Sequence, residues 1–330
     1  MRVTDAQITR SFIAQIYRQR NALIDVQREV SSGIRVANPS DDPAHAGTIA
    51  QFQSSLQRFE QHKERMSYVT NLLQQQESIL ASSGDLLIRA RELAQQGANE
   101  TLSEEQRRTL GDEVFQLRDA LVSLANSKVQ GRYIYGGADD DDPPFDSATY
   151  VNPATGAASE RWVFDSADAG QDVTREVSIT DSLSVRVSTS GQDVFENSIA
   201  ALERLGRALT GYRTEPEDLS TLPDGNGVAF NFPAEYQEQT EDILEALDLV
   251  ESGADEVKTE RASIGSRLSR VQVASEIMDI ATIDTQTARQ AVQDADIFEA
   301  ASKLANFQTN LEATLASGAQ LSRLSLMDFI

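Results

Sequence analysis

The sequence predicts a mainly α protein, in which a bundle of long helices from both chain ends carries a small β-rich insert. Near both ends, apolar residues recur at steps of three and four, which is the periodicity of helices that pack on other helices. Between the helical halves, residues 137–192 are rich in Asp, Ser, Thr, Gly and Val. Short runs in this region alternate between apolar and polar residues, as strands do.

The first helix is predicted over residues 5–32. Its apolar stripe is narrow and would be exposed if the helix were alone, so we expect it to need a partner helix. A similar stripe near the other end of the chain predicts that partner, although periodicity alone fits the core of a monomeric bundle equally well. The expected packing residues are Phe12, Ile16, Leu23, Val26, Val30, Leu304, Phe307, Leu311 and Leu315.

A joint between helical modules is predicted directly after the first helix. Ser32 and Gly33 interrupt the apolar pattern, and glycine readily ends a helix in a left-handed conformation. Asp41 and Asp42 are candidate caps for the next helix, which would have Pro43 in its first turn.

Further helices are predicted across the rest of the chain. Gly84 is a candidate kink, and Ser252 with Gly253 is a candidate interruption. Ser103 is the expected N-cap of the third helix, because Glu104 and Glu105 follow it in the positively polarised first turn. The predicted helices cover residues 44–97, about 103–124, 194–209 and 234 onward, with a polar loop at 214–233.

The composition excludes several classes of function. The 330 residues carry a net charge of -23, which repels nucleic acid and anionic membranes, so neither is an expected partner. The chain has no cysteine and two histidines, and we expect no catalytic residues, metal site or cofactor. Residues 1–30 lack the apolar core of a cleaved signal peptide, and no run reaches the roughly 18 apolar residues of a membrane span.

Strands are expected in the insert at residues 161–164, 173–177 and 178–188. The acidic run 139–142 is interpreted as a solvated loop, because it lacks the spacing of a calcium-binding EF-hand loop. His62 is predicted to lie on a solvent-facing side of its helix.

Several motifs resemble the signatures of bacterial flagellins. Residues 31–36 followed by 41–44 resemble the N-terminal flagellin pattern Ser-Ser-Gly-hydrophobic-Arg-Ile then Asp-Asp-Ala-Ala. Residues 89–96 resemble Arg-x-Arg-Glu-Leu-Ala-x-Gln, and residues 292–297 resemble Ile-Glu-Asp-Ala-Asp-Tyr near the other end. The resemblance covers about residues 1–135 and 240–330 and does not reach the insert.

The resemblance implies a rod-like architecture with three domains. Residues 1–40 with 285–330 would form an inner domain of paired terminal helices, which neighbouring subunits order by packing. Residues 41–136 with 193–284 would form a long-helix domain, and residues 137–192 an outer β-rich domain.

Two further features resemble the branch of the family that joins the hook to the filament. These are the C-terminal residues 324–330 and the segment 131–137 followed by Pro143, Pro144 and Phe145. For such a protein the resemblance implies a secreted, non-enzymatic part of the flagellum that assembles as a ring of identical subunits. Its partners would be a hook-side adaptor, flagellin and a cytoplasmic export chaperone at the C-terminal helix; the alternative is a filament flagellin.

Flagellins also display an innate-receptor epitope, which would correspond to Arg89, Leu93 and Glu113 by motif match. The alternative interpretation is that Leu93 faces the core and that the two charged residues lie on the helix surface.

Overall fold

Helices dominate the structure, a computed structural model that describes residues 2–137, 141–151, 158–164, 175–212, 232 and 234–327. The helices are α1 (Arg2–Ser32), α2 (Pro43–Gly97), α3 (Glu104–Ala125), α4 (Asn197–Thr210), α5 (Tyr236–Gln293) and α6 (Ile297–Met327). The strands are β1 (Lys128–Val129), β2 (Arg132–Tyr133), β3 (Phe145–Val151), β4 (Ala158–Phe164), β5 (Glu176–Ser178) and β6 (Ser184–Arg186). The predicted mainly α fold with a small β content is therefore confirmed.

The chain divides into two compact units. Unit 1 comprises residues 1–61 and 277–330, and unit 2 comprises residues 62–276.

Unit 2 has a continuous apolar core. Burying a leucine side chain stabilises a fold by about 1.5–3 kcal/mol, so fully buried leucines contribute much of the stabilisation of this unit. Side chains with no exposed surface include Leu73, Leu80, Leu87, Leu93, Leu121, Leu202, Ile243 and Ile264.

Glycine permits close helix packing inside unit 2. A Cβ added to Gly206 of α4 would lie 2.7 Å from the Phe115 ring of α3, and one added to Gly253 of α5 would lie 3.0 Å from Ser198 Cα of α4. The predicted interruption at Gly253 is therefore wrong: α5 continues through it, and the glycine allows α4 to approach. Helix α2 also continues through Gly84, and the kink expected there stays a prediction.

The predicted cap of α3 is confirmed. The Ser103 hydroxyl accepts from the Gln106 amide at 3.4 Å, and the Gln106 side chain accepts from the Ser103 amide at 2.9 Å. This reciprocal capping box satisfies two amides that the first turn leaves without helical partners.

In the described part of the chain, the strands form three separate antiparallel pairs: β1 with β2, β3 with β4, and β5 with β6. Gln130 and Gly131 have φ values of 53° and 85° in the tight turn between β1 and β2, as a two-residue hairpin turn requires. The predicted run 178–188 is divided by a turn, in which the Ile179 amide donates to the Leu183 carbonyl at 2.9 Å.

The insert and the segment just before it pack on α2 and the end of α3 through a few specific hydrogen bonds. The Asn126 side chain donates to the Phe145 carbonyl at 2.7 Å and accepts from the Phe145 amide at 3.0 Å. The buried Gln76 amide group of α2 donates to the Val187 carbonyl at 2.9 Å. The Tyr135 hydroxyl donates to the Gln76 carbonyl at 3.2 Å.

The prediction for His62 is wrong. This residue of α2 is only 5% exposed, and its ring lies between the Arg65 guanidinium and the Asp181 carboxylate of the β5–β6 turn. The hairpin covers this face of the helix, which helical periodicity cannot reveal. The predicted loop 214–233, apart from residue 232, and residues 173 and 174 lie outside the described residues.

Candidate functional site: the paired terminal helices

In unit 1, α1 packs against α6, and the predicted packing residues lie on these helices. Most of them are half-buried: Phe12, Ile16, Leu23, Val30, Leu304, Phe307 and Leu311. Val26 is buried, with 8% of its surface exposed, whereas Leu315 is 50% exposed. Two helices alone therefore cover these stripes only in part.

The two helices approach each other closely at Gly318. A Cβ added to this glycine would overlap the aromatic ring of Phe12. Glycine is unfavourable in a helix interior by about 0.5–1 kcal/mol relative to alanine, and here it makes room for a phenylalanine of the partner helix.

The joint after α1 is held by the residues that separate α5 from α6. Gly33 has φ +69°, so the predicted left-handed helix end is confirmed. Its carbonyl accepts from the Ala295 amide at 2.9 Å. The Arg35 and Val36 amides both donate to the Gln293 carbonyl, at 2.9 and 3.1 Å.

Side chains reinforce the joint. The Arg35 guanidinium donates to the Val292 carbonyl at 2.8 Å and to the Asp42 carboxylate at 3.0 Å. The Ser32 hydroxyl accepts from the Ile34 amide at 3.2 Å. Arg35 thus ties the start of α2 to the end of α5 within unit 1.

Asp42 caps α2, as predicted. Its carboxylate accepts from the His45 amide at 3.3 Å and lies 2.7 Å from the His45 ring nitrogen Nδ1. Hydrogen bonds from His45 and Arg35 lower the pKa of Asp42 to about 2, because they favour the charged carboxylate.

The prediction that Asp41 also caps α2 is wrong. Its carboxylate accepts from the Ala37 and Asn38 amides, at 3.1 and 2.8 Å, and so closes the turn before the helix. The hydrogen bond from the Asn38 amide, the largest cause, also lowers the pKa of Asp41.

Sequence reasoning missed Asp296, which caps α6. Its carboxylate accepts from the Phe298 and Glu299 amides at 2.9 and 3.2 Å. The spacing Asp296-x-x-Glu299 before an apolar run is a helix-start signal that could have located this break. Arg35 was visible in the flagellin-like motif, but its partners 257 residues away were not.

The residues of the possible receptor epitope lie in unit 2. Leu93 has no exposed surface. The Arg89 guanidinium lies 2.8 Å from the Glu113 carboxylate, and this hydrogen-bonded partner raises the pKa of Arg89. Arg89 and Glu113 thus form a surface ion pair between α2 and α3, above a buried Leu93.

The described residues contain no cluster of acidic or histidine side chains that could hold a metal ion. Among these residues, no helix combines the length and the apolar character of a membrane span. Asp141 and Asp142 of the acidic run are exposed; residues 139 and 140 lie outside the described part.

Two paired helices from opposite chain ends, with apolar surface left uncovered, are features of helical proteins that complete their packing by self-association. The chain belongs to the bacterial flagellin family. Residues 5–139 match the bacterial flagellin N-terminal helical region, and residues 247–330 match the bacterial flagellin C-terminal helical region.

Individual relatives refine this assignment. The chain is 27% identical over 309 residues to flagellar hook-associated protein 3 of Escherichia coli, an alignment that covers 90% of each chain. It is 29% identical over 150 residues to the protein of that name from Salmonella typhimurium, covering 45% of this chain and 47% of that protein. The solved structure of the flagellar junction protein FlgL from Legionella pneumophila shares its fold, with a TM-score of 0.55, 16% identity and coverage of 76% of this chain and 100% of that chain.

Proposed function

We propose that this flagellin-family protein is a structural component of the bacterial flagellum that joins the hook-side adaptor to the flagellin filament. Identical copies would form a ring through their terminal helices. The names of the relatives support the location, and the distribution of apolar surface supports the mode of assembly.

The observation that carries the proposal is the excess of exposed apolar side chains in unit 1. This unit contains about a third of the chain. It nevertheless holds nine of the fourteen large apolar residues that are exposed in the described part. They are Ile13, Tyr17, Ile24, Ile277, Ile280, Ile283, Ile297, Phe298 and Leu315. Such a surface is unfavourable in water and favours packing against further copies.

The proposed packing surface consists of the stripes on α1 and α6, with the joint at Ser32, Gly33, Asp41 and Asp42 fixing where the helices begin. In this proposal, residues 1–40 with 285–330 act as the inner domain, residues 41–136 with 193–284 as the long-helix domain, and residues 137–192 as the outer domain. The work is mechanical, with no catalytic role.

Before assembly, the C-terminal stripe needs protection. A cytoplasmic chaperone that covers Leu304, Phe307, Leu311 and Leu315 would prevent premature association during export. The protein would then be secreted and retained at the junction by its neighbours, the hook-side adaptor and the first layer of flagellin. Recognition of Arg89 and Glu113 by an innate receptor remains a separate proposal, in which Leu93 would stabilise the fold and contribute no contact.

The test is deletion of the gene in its host, followed by electron microscopy of the cells and an assay of flagellin in the medium. We expect hooks without filaments, and flagellin monomers outside the cell. Missing filaments without released flagellin would instead favour the alternative that this chain is a filament flagellin. Normal filaments would contradict a required role at the junction.

A further inference from the structure

Helix α5 carries an unpartnered apolar stripe within unit 1. Ile277, Ile280 and Ile283 are 61%, 60% and 63% exposed. Their spacing of three residues places them on one side of the helix. The opposite side is already covered, because Met278 is buried and Thr285 is half-buried. An α-helix that is apolar on both sides is expected to be enclosed on both sides.

Helix α1 carries a second unpartnered stripe. Ile13, Tyr17 and Ile24 are 46%, 61% and 50% exposed. Spacings of four and seven residues place them on one side of α1, about 120° around the helix from the stripe that faces α6. We call these two surfaces the α5 stripe and the outer α1 stripe.

The charges beside the two stripes are complementary. Between residues 7 and 24, the charged residues are Arg10, Arg18 and Arg20, all basic and exposed. Between residues 277 and 288, they are Asp279 and Asp284, both acidic and exposed. The chain as a whole has a net charge of -23, so a stretch of α1 that carries only positive charge is unusual in it. This stretch complements the acidic residues beside the α5 stripe.

We propose that the α5 stripe of one copy receives the outer α1 stripe of a second copy. Both stripes are exposed in the single chain, so they do not cover each other within it. The inference rests on the self-assembly proposed above and adds the pair of surfaces that meet. Such a contact joins two different surfaces of identical subunits, so repeating it generates a ring or a helical array, whereas a contact between like surfaces stops at a dimer.

The size of the stripes explains why single copies would remain apart in solution. Three isoleucines exposed to this degree offer roughly 300 Å² on the α5 side, well below the roughly 800 Å² per partner of a stable interface. The contact is therefore weak by itself. It becomes effective when the α1–α6 stripes of the same neighbours also pack, because linked contacts add through a high effective concentration.

Cysteine cross-linking tests the proposal directly, because the chain has no cysteine of its own. One full-length variant carries Tyr17→Cys and a second, of different length through a tag, carries Ile280→Cys. The two are mixed at a concentration where sedimentation shows self-association and are then oxidised. We expect a mixed disulfide dimer that exceeds the product of the control pair Tyr68→Cys with Ile280→Cys, since Tyr68 is 42% exposed but lies in unit 2.

A charge exchange tests the same contact without a covalent bond. Arg20→Asp and Asp284→Arg are each expected to lower the association constant about threefold, as for the loss of an exposed ion pair. A mixture of the two variants should recover part of that loss. Ile280→Gln should weaken it about tenfold, and Leu244→Gln, which changes a leucine of unit 2 that is 46% exposed, should leave it unchanged.

The outcomes separate this inference from the proposed function. If the chain self-associates but the mixed dimer does not exceed the control, the inference is overturned and self-assembly stands. A dominant Ile280→Cys homodimer would also overturn it, because like stripes would then meet. If the unmodified chain stays monomeric at every concentration, with or without flagellin, self-assembly itself is contradicted.

Discussion

Unit 1 and unit 2 differ in where they keep their apolar side chains. Of the forty buried apolar residues in the described part of the chain, only five lie in unit 1: Val26, Val36, Ile49, Met278 and Ala300. Unit 2 holds the rest and is stabilised within the chain. Unit 1 is held by hydrogen bonds at its joint and by the packing of α1 on α6, and under the proposed function we expect other copies to complete its packing.

The contrast is what we expect of a chain that must both fold alone and assemble with other copies. Under the proposed function, the subunit is secreted before it assembles, so we expect it to have a part that folds alone and a part that becomes rigid only among its neighbours. Low local stability of unit 1 in the single chain would allow it to become ordered only when copies assemble. The following predictions test that division.

The largest effect is expected from Leu311→Asp. A carboxylate in the α6 stripe would have to be buried without a partner when copies pack, which costs several kcal/mol. We expect the variant to be secreted and not incorporated, as measured by immunoblots of medium and of purified hooks. The control is Leu244→Asp, at a leucine 46% exposed in unit 2, which should be incorporated normally. Normal filaments with Leu311→Asp would show that this stripe is not packed in the assembly.

The next effect concerns the stability of the two units in the dissociated chain. Trp162, the only tryptophan, donates to the Asp119 carboxylate at 3.2 Å, so its fluorescence reports on unit 2. We expect denaturant to remove part of the helical circular dichroism before the fluorescence changes. Leu202→Ala should lower the free energy of unfolding seen by Trp162 by about 2–5 kcal/mol.

The matched substitution Ile16→Ala should move only the early, circular dichroism transition, and by about 1 kcal/mol because the side chain is only half-buried. Coincident transitions by both probes would contradict the separation of the two units, because they would indicate a single cooperative unfolding.

A smaller effect is expected where Gly318 of α6 packs against Phe12 of α1. Gly318→Ala would push a methyl group into the Phe12 ring, so the pair must separate slightly and lose about 1–2 kcal/mol. Gly47→Ala is the control, because nothing lies within 4 Å of its added Cβ; it should stabilise α2 by about 0.5–1 kcal/mol. The denaturant midpoint of the early circular dichroism transition measures the effect of both substitutions. Equal stabilisation by both variants would mean that the helices do not approach at Gly318.

The smallest effect is the acid response of the joint. The pKa of Asp42 is lowered from 3.8 to about 2, so its stabilising effect is complete above about pH 4 and is lost as the pH falls toward 2. We expect the denaturant midpoint of the early circular dichroism transition to fall as the pH is lowered over this range. Asp42→Asn should reduce the dependence, whereas Asp25→Asn, outside the joint, should retain it. If the Asp42→Asn variant keeps the full pH dependence, that dependence must come from other carboxylates.

Much of the helical architecture follows from local sequence. Steps of three and four predicted α1, α2, α4 and α5 to within a few residues, since side chains at this spacing share a helix face whatever lies opposite. Ser103 and Asp42 were recognisable as caps because capping depends on neighbouring residues. Asp41 shows the limit of this reasoning, because the turn before α2 decides which of two adjacent carboxylates meets the helix.

Two other errors occurred where distant residues decide the outcome. Gly253 looks like a helix break until Ser198 of α4 is seen to pack against it. His62 looks solvent-facing until the turn that carries Asp181 is placed beside it. Neither glycine content nor helical periodicity contains information on which element approaches from outside.

Residue types and their spacing were enough to establish the helical class, the family and the predicted apolar stripes of α1 and α6. These depend on residue type and spacing, which are local properties. Which stripes are covered depends on the tertiary structure. Helix α6 covers one side of α1 and leaves Ile13, Tyr17 and Ile24 exposed. The joint likewise formed from segments 257 residues apart, because hydrogen bonds between Arg35 and Val292 exist only once the two chain ends meet.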